Sequence, residues 1–375
     1  MTRRFGFTGT WRSLCVIAAV ALGGCGLETR YGVEVWRLPE SGRLPNAAVD
    51  REGTVHLVYF QGEELGGDLL YVCREADAKA WSEPLVVNSE PGTVAGVGPI
   101  DGGRIAIGRD GRLHLAWLRI PAGQIFYSRS DPERGGFETQ FGLARGDGME
   151  AAPAIAADSE GSVYLFWHSG AGDEAKRRVE MAVSRDDGFA WEVPRAVNDE
   201  DAGACNCCGT DAILVDGTLR VSYRGAGEAR LRGQRLLTSV DAGATFGDQA
   251  IDAWELEGCP VTTSDLSPVA GGAMLTWETR GEVGFSAIGG DIERRAPSGR
   301  AAERRKHSSV ARNDRGDTLL TWSDGGGFRS GGTLHWELFS GEGEVVGSME
   351  YRERVPEGSV AIAVALPGDH FAVIY

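Results

Sequence analysis

Three cysteines occupy four positions in the stretch ACNCCGTDA, residues 204–212, and a fourth follows in WELEGCPVTTSD. Cys205, Cys207, Cys208 and Cys259 can do three kinds of chemistry. As thiolates they suit a soft metal, copper(I) or zinc, although C-x-C-C is not a usual zinc spacing. As a dithiol pair they can exchange with a disulfide. As a structural staple, Cys259 can pair with one of the trio across a loop of about 50 residues, a contribution of about 3–4 kcal/mol in the chain-entropy model. Four cysteines allow three pairings, and spacing does not choose among them. A Cys207–Cys208 bridge would close a strained ring between neighbours and ranks lowest. The disulfide reading leads here, with metal and redox readings behind it. Cys73 is expected buried and free.

The elements that must position these residues come from a repeat of about 55 residues. NAAVDREGTVHLVYF, IAIGRDGRLHLAWLR, PAIAADSEGSVYLFWH, AILVDGTLRVSYR, SPVAGGAMLTWE and SVARNDRGDTLLTWS each read as a strand, a turn rich in Asp and Gly, and a second strand about an aromatic. The anchors are Tyr59, Trp117, Trp167, Tyr223, Trp277 and Trp322, and a seventh copy ends the chain at Tyr375. The second half of each copy repeats too, with Trp81, Phe137, Trp191 and Phe246 about 55 apart. Four-stranded units repeated radially make an all-β propeller. The copies span about 45–88, 99–144, 153–198, 210–251, 265–300, 307–350 and 358–375, the last closed with 27–40. Seven blades are expected, with six as the alternative, in a single domain over 25–375. The charged run ERRAPSGRAAERRKH, residues 293–307, reads as a solvated connection.

In such a ring both cysteine segments are connections between adjacent blades and fall on one face. Residues just past each second strand fall there as well: Arg119, His168, Arg224 and Glu278, with Gln61 and Asp324. Asp211 and His307 join them from the starts of inner strands. These groups could hold an anionic or sugar-like ligand, although strand ends are also polar simply because they are wet.

S-x-D-x-G-x-x-[WF] occurs in full at Ser184, Asp186, Gly188, Trp191 and at Ser239, Asp241, Gly243, Phe246. It resembles the Asp-box of sialidase-like BNR-repeat proteins, a structural turn in which the Asp accepts backbone N–H groups and the Gly takes φ > 0. C-x-C-C, the VSYR that follows it and W-E-L-E-G-C-P together resemble a bacterial subfamily of these proteins often labelled exo-α-sialidases. The label follows the fold and does not secure an activity. A true sialidase needs an arginine triad, an Asp acid/base and a Tyr nucleophile backed by Glu. LRIP, residues 118–121, is out of place for the first arginine, and no Tyr–Glu pair can be assigned. No catalytic residue is therefore named.

Arg3, Arg4 and Arg12 precede a short apolar run ending in LGGC. This resembles the lipobox of bacterial lipoproteins, which implies a signal peptide over 1–24 and acylation of Cys25. Gly26, where Asp would retain the protein at the inner membrane, implies the outer membrane, facing periplasm or surface. Removing residues 1–24 takes three arginines and no acids, so the net charge goes from −16 to −19. That excludes nucleic acid and anionic membrane surfaces as partners.

The expectation is a monomeric, lipid-anchored envelope propeller that binds a glycan, a small anionic ligand or an envelope protein through its cysteine-bearing face without catalysis. The alternatives are a sialidase-like exo-glycoside hydrolase and a periplasmic metal- or thiol-binding protein. No cofactor is expected, unless the cysteines hold copper or zinc.

Overall fold

The computed structural model describes residues 32–170, 172–227, 230–299 and 303–375. Cys25 and the lipobox lie outside the described residues. Seven sheets form seven blades of a propeller. Their innermost strands are Arg43–Val49, Gly103–Ile107, Ala154–Ala157, Asp211–Val215, Ser264–Val269, Arg305–Arg312 and Ile362–Leu366. Each packs on the next, and the last packs on the first, which closes the ring. Closure is made by both ends of the chain. Val33–Trp36 pairs parallel to His370–Ile374, which pairs antiparallel to Ile362–Leu366. The fifth blade has three strands, and an isolated bridge from Arg295 to Phe285 stands beside the third.

The second strand of each blade is apolar on both faces because it sits between two neighbours. Along such a strand alternate side chains point opposite ways. In blade 1, Leu57 and Tyr59 pack against blade 7, while Val58 and Phe60 pack against blade 2. Each of the seven blade interfaces has its own apolar cluster built in this way. The anchors Tyr59, Trp117, Trp167, Tyr223, Trp277 and Trp322 are all buried. Truncating one to Ala would cost about 3–5 kcal/mol.

The two S-x-D-x-G turns are built alike. Ser184 Oγ donates to Asp186 Oδ1 at 2.8 Å and accepts from Gly188 N at 2.9 Å. Ser239 Oγ makes the same pair of bonds with Asp241 and Gly243 N, at 2.7 and 2.9 Å. Asp186 accepts Ala190 N and Asp241 accepts Thr245 N. Gly188 has φ 80°, and a Cβ there would stand 1.8 Å from the Tyr127 hydroxyl, so no other residue fits. Trp191 meets Tyr127 edge-on at 5.0 Å, and Phe246 meets Phe166 at 6.1 Å. Ser184 pairs with the start of the strand that ends at Ser169, so these turns lie at the opposite end of the blades from His168 and the cysteines. Their role is structural.

Candidate functional site

Cys205, Cys207, Cys208 and Cys259 come together, with all four sulfurs within 4.8 Å of one another. Cys207 and Cys259 are joined as a disulfide, and Cys205, Cys208 and Cys73 are free and buried. Cys205 Sγ lies 3.3 Å from Cys207 Sγ, 3.5 Å from Cys208 Sγ and 4.0 Å from Cys259 Sγ. The trio is held in a tight turn, with Cys208 N donating to Cys205 O and Cys205 N donating to Arg224 O. Gly209 N donates to Thr262 O at 2.8 Å, locking this turn to the Cys259 segment of the next blade.

Three of the expected polar residues surround the cluster, and all three are buried. Arg224 is 1% exposed and donates to Arg232 O, Thr262 Oγ1 and Glu278 O at 2.9, 3.0 and 2.7 Å. Its guanidinium is thus committed to holding three segments and is not presented to solvent. Glu278 faces Lys306 Nζ at 3.4 Å, and that ammonium also donates to Pro260 O and Val261 O. Burial raises the Glu278 carboxyl to about 7, against the pull of Lys306 and Arg224. His168 shares a 2.8 Å hydrogen bond with Thr210 Oγ1. Burial drives the His168 imidazole down to about 4, the Arg177 charge adds to this, and a backbone hydrogen bond at Asn206 opposes it.

Cys208 Sγ accepts from Thr262 N at 3.5 Å and from Thr262 Oγ1 at 3.6 Å. Burial disfavours its thiolate, but Cys205, the Arg224 charge and Thr262 outweigh burial and lower its pKa. Cys205 moves the other way, first through its hydrogen bond to Cys208 and then through burial. Within this coupled pair the thiolate is favoured at Cys208 and disfavoured at Cys205.

Lys306 and His307 lie in the run expected to be solvated, and both are buried. The innermost strand of blade 6 already begins at Arg305, so this part of the charged run is inside the ring. A buried ammonium is tolerable there because one carboxylate and two carbonyls receive it. The spacing of the sequence gave no sign of that partnership.

Asp211 and His307 line a different feature, the pocket on the propeller axis. Its cavity volume is small, about 60 Å³. The strand register explains its lining. In each blade one inner-strand residue pairs with the residue immediately before the anchor aromatic. These are Asn46, Arg104, Ala154, Asp211, Asp265 and Ser309, with Ile362 opposite Ile374 before Tyr375. One residue per blade therefore forms a ring about the axis. Four of these side chains also tie blades together. Asn46 accepts Ile105 N, Asp211 accepts Leu266 N, Asp265 accepts Val310 N and Ser309 accepts Ala363 N, at 2.7–3.0 Å.

Arg104 is the one cation of the ring and has no acceptor to offer the next blade. Its Nη1 donates to Asp101 O and Gly103 O, and Asp211, Asp101 and Asp265 act on its charge. Burial raises the proton affinity of Asp211 and Asp265, and the Asp265 charge raises Asp211 further. Asp101 is pushed up to about 6 by burial, against the backbone N–H groups of Gly98 and Val97 and the Arg104 charge. His307 is driven down to about 3, first by burial and then by Lys306. Arg119 stands apart, 40% exposed and 3.7 Å from Glu90. Among the described residues lining the pocket there is one arginine and no tyrosine.

Arg104, Asp265 and Asp101 were not singled out in the sequence. Arg104 and Asp265 sit on inner strands just ahead of the repeated segments, and Asp101 precedes its strand, so none of them carried a repeating signal.

No protein-family model matches the chain. No curated protein sequence matches it either. Solved structures do. The GH93 α-L-arabinofuranosidase of Fusarium graminearum with arabinobiose is 12% identical over 80% of this chain and 93% of that one, with a TM-score of 0.53. The α-L-arabinanase of Penicillium chrysogenum with arabinobiose is 12% identical over 81% and 94%, with a TM-score of 0.51. A Hadza microbial sialidase is 16% identical over 80% and 69%, with a TM-score of 0.49. At such identities the likeness is one of fold: this chain is a seven-bladed β-propeller, and its fold resembles those of the arabinofuranosidase and the arabinanase.

Proposed function

We propose that the chain takes a sugar in its axial pocket and acts as an exo-glycoside hydrolase of the sialidase-like propeller class. The observation that carries this is the ring at the pocket floor, where Asp211 and Asp265, both of raised proton affinity, face Arg104. Glycoside hydrolysis needs two carboxyl groups, one protonated to assist the leaving group and one ionised. Two coupled carboxyls that titrate near neutrality supply that combination. Arg104 supplies a positive charge for an anionic or hydroxyl-rich substrate. Tyrosine-nucleophile chemistry with an arginine triad has no residues in this pocket, so the reading rests on the carboxylates. Arabinobiose in the two arabinose-specific neighbours supports arabinosides as the first class to test.

A second reading is favoured by one specific observation. Asp211 and Asp265 each already accept a backbone N–H of the next blade. A propeller whose acids serve as blade ties in this way would bind its ligand without hydrolysing it, as a lipid-anchored envelope protein. Aryl α-L-arabinofuranosides and α-sialosides separate the two readings. Release of the aryl alcohol supports the hydrolase. A rise in melting temperature without release supports the binder. The absence of both release and a rise in melting temperature overturns both readings.

A further inference from the structure

We propose that the four cysteines, when reduced, bind one soft metal ion of the zinc(II) or copper(I) class. The sulfur geometry carries it. A tetrahedral tetrathiolate centre with Zn–S bonds of about 2.3 Å has S–S edges of about 3.8 Å. Cys205 Sγ stands 3.3, 3.5 and 4.0 Å from the other three sulfurs, which bracket that edge on three sides. All four sulfurs fall within 4.8 Å. The Cys207–Cys259 edge is closed by a covalent bond.

The site is built from two adjacent blades and is fixed by groups other than the cysteines. Gly209 N to Thr262 O joins the two cysteine segments, and Lys306 Nζ fastens the Cys259 side through Pro260 O and Val261 O. Thr262 gives both its N–H and its hydroxyl to Cys208 Sγ, and Arg224 in turn donates to that hydroxyl. Donors aimed at a ligand sulfur and held by a second layer are what orient and tune a metal thiolate. Arg224 and Lys306 place buried positive charge beside a centre that would be anionic. Cys205 and Cys208 are fully buried, whereas Cys259 is exposed, which leaves a way in for the ion.

The disulfide is the oxidised, metal-free form of the site. A dithiol reductant passes two electrons and two protons to the Cys207–Cys259 bond, giving two thiols and an oxidised reductant. The ion then forms four metal–sulfur bonds and displaces whatever protons the four sulfurs still carry, with no change in its own oxidation state.

The test uses the whole chain, reduced with a phosphine without oxygen and dialysed against zinc(II) or copper(I) in the presence of a competing chelator. Metal content is read by mass spectrometry, and cobalt(II) substitution by its thiolate charge-transfer absorption. The expected result is about one ion per chain after reduction and none while the disulfide is intact. Cys205→Ser and the exposed Cys259→Ser should each lower cobalt affinity at least tenfold and weaken the thiolate band. Cys73→Ser should change neither, and circular dichroism shows that each variant is folded. A reduced, folded protein that takes up no ion overturns the proposal. So does metal binding that Cys259→Ser leaves unchanged.

Discussion

The Asp265 carboxylate of blade 5 accepts the Val310 amide of blade 6 at 2.8 Å, just as Asp211 of blade 4 accepts Leu266 of blade 5 at 2.7 Å. The same ring position thus performs two duties, tying blades and lining the pocket. Asp265→Ala should leave the Val310 amide without its acceptor and cost about 1–3 kcal/mol. Asp265→Asn keeps a carbonyl acceptor and should cost well under half of that. Urea unfolding of the two variants is the check. Equal losses would mean that the carboxylate is not the tie.

His168 makes stability depend on pH in a predictable direction. Its folded pKa, about 4, lies below the unfolded value of 6.5. Its contribution is therefore complete above pH 6.5 and is lost as pH falls toward 4, because only the unfolded chain takes up the proton there. His168→Gln lacks this term. The stability advantage of wild type over His168→Gln should narrow by about 1.4 kcal/mol per pH unit across that window. A gap that stays constant from pH 7 to 4 would show that the imidazole is not held neutral.

The blade count and the closure were legible because they follow from local patterns. A strand apolar on both faces, an aromatic anchor and an Asp/Gly turn recur often enough to be counted along the chain. The meeting of the cysteine segments followed from the count, since both precede inner strands of adjacent blades. The axial ring was not legible in the same way. Arg104, Asp211 and Asp265 are far apart in sequence and meet only because all inner strands converge on one axis. In one dimension each reads as an ordinary polar residue at a strand start. Arg224 and Glu278 raised the opposite difficulty. Their polarity suggested an open mouth, whereas burial turned both toward the cysteine cluster. Only the partners Thr262 and Lys306, one of them in a run that looked solvated, make that burial tolerable.

Closure predicts a sharp response to truncation. Deleting residues 358–375 removes His370–Ile374, the strand with which Val33–Trp36 pairs, together with the inner strand Ile362–Leu366, and it exposes sheet faces on blades 6 and 1. Open edges and bare apolar faces favour aggregation. A milder probe is Trp36→Ala. Trp36 is buried, meets Trp81 edge-on at 5.5 Å and lies under Arg74 at 3.7 Å. The loss expected is about 3 kcal/mol, read by urea unfolding. A soluble truncated chain with an unchanged melting temperature would contradict this closure.

The lipobox resemblance at LGGC predicts that Cys25 carries lipid. Metabolic labelling with an alkyne palmitate analogue should mark the wild type in the envelope fraction, and Cys25→Ala should abolish the mark. An unlabelled, soluble wild type would exclude the anchor.

Aryl alcohol release from arabinofuranosides and sialosides by wild type, Asp211→Asn, Asp265→Asn and Arg104→Gln tests the hydrolase reading. All four are first shown to be folded by circular dichroism. Wild type should turn over, and both Asn variants should fall at least a hundredfold, since each removes one carboxyl of the pair. Arg104→Gln should lose mainly substrate affinity, as a raised KM. Turnover that survives unchanged in both Asn variants would contradict that reading.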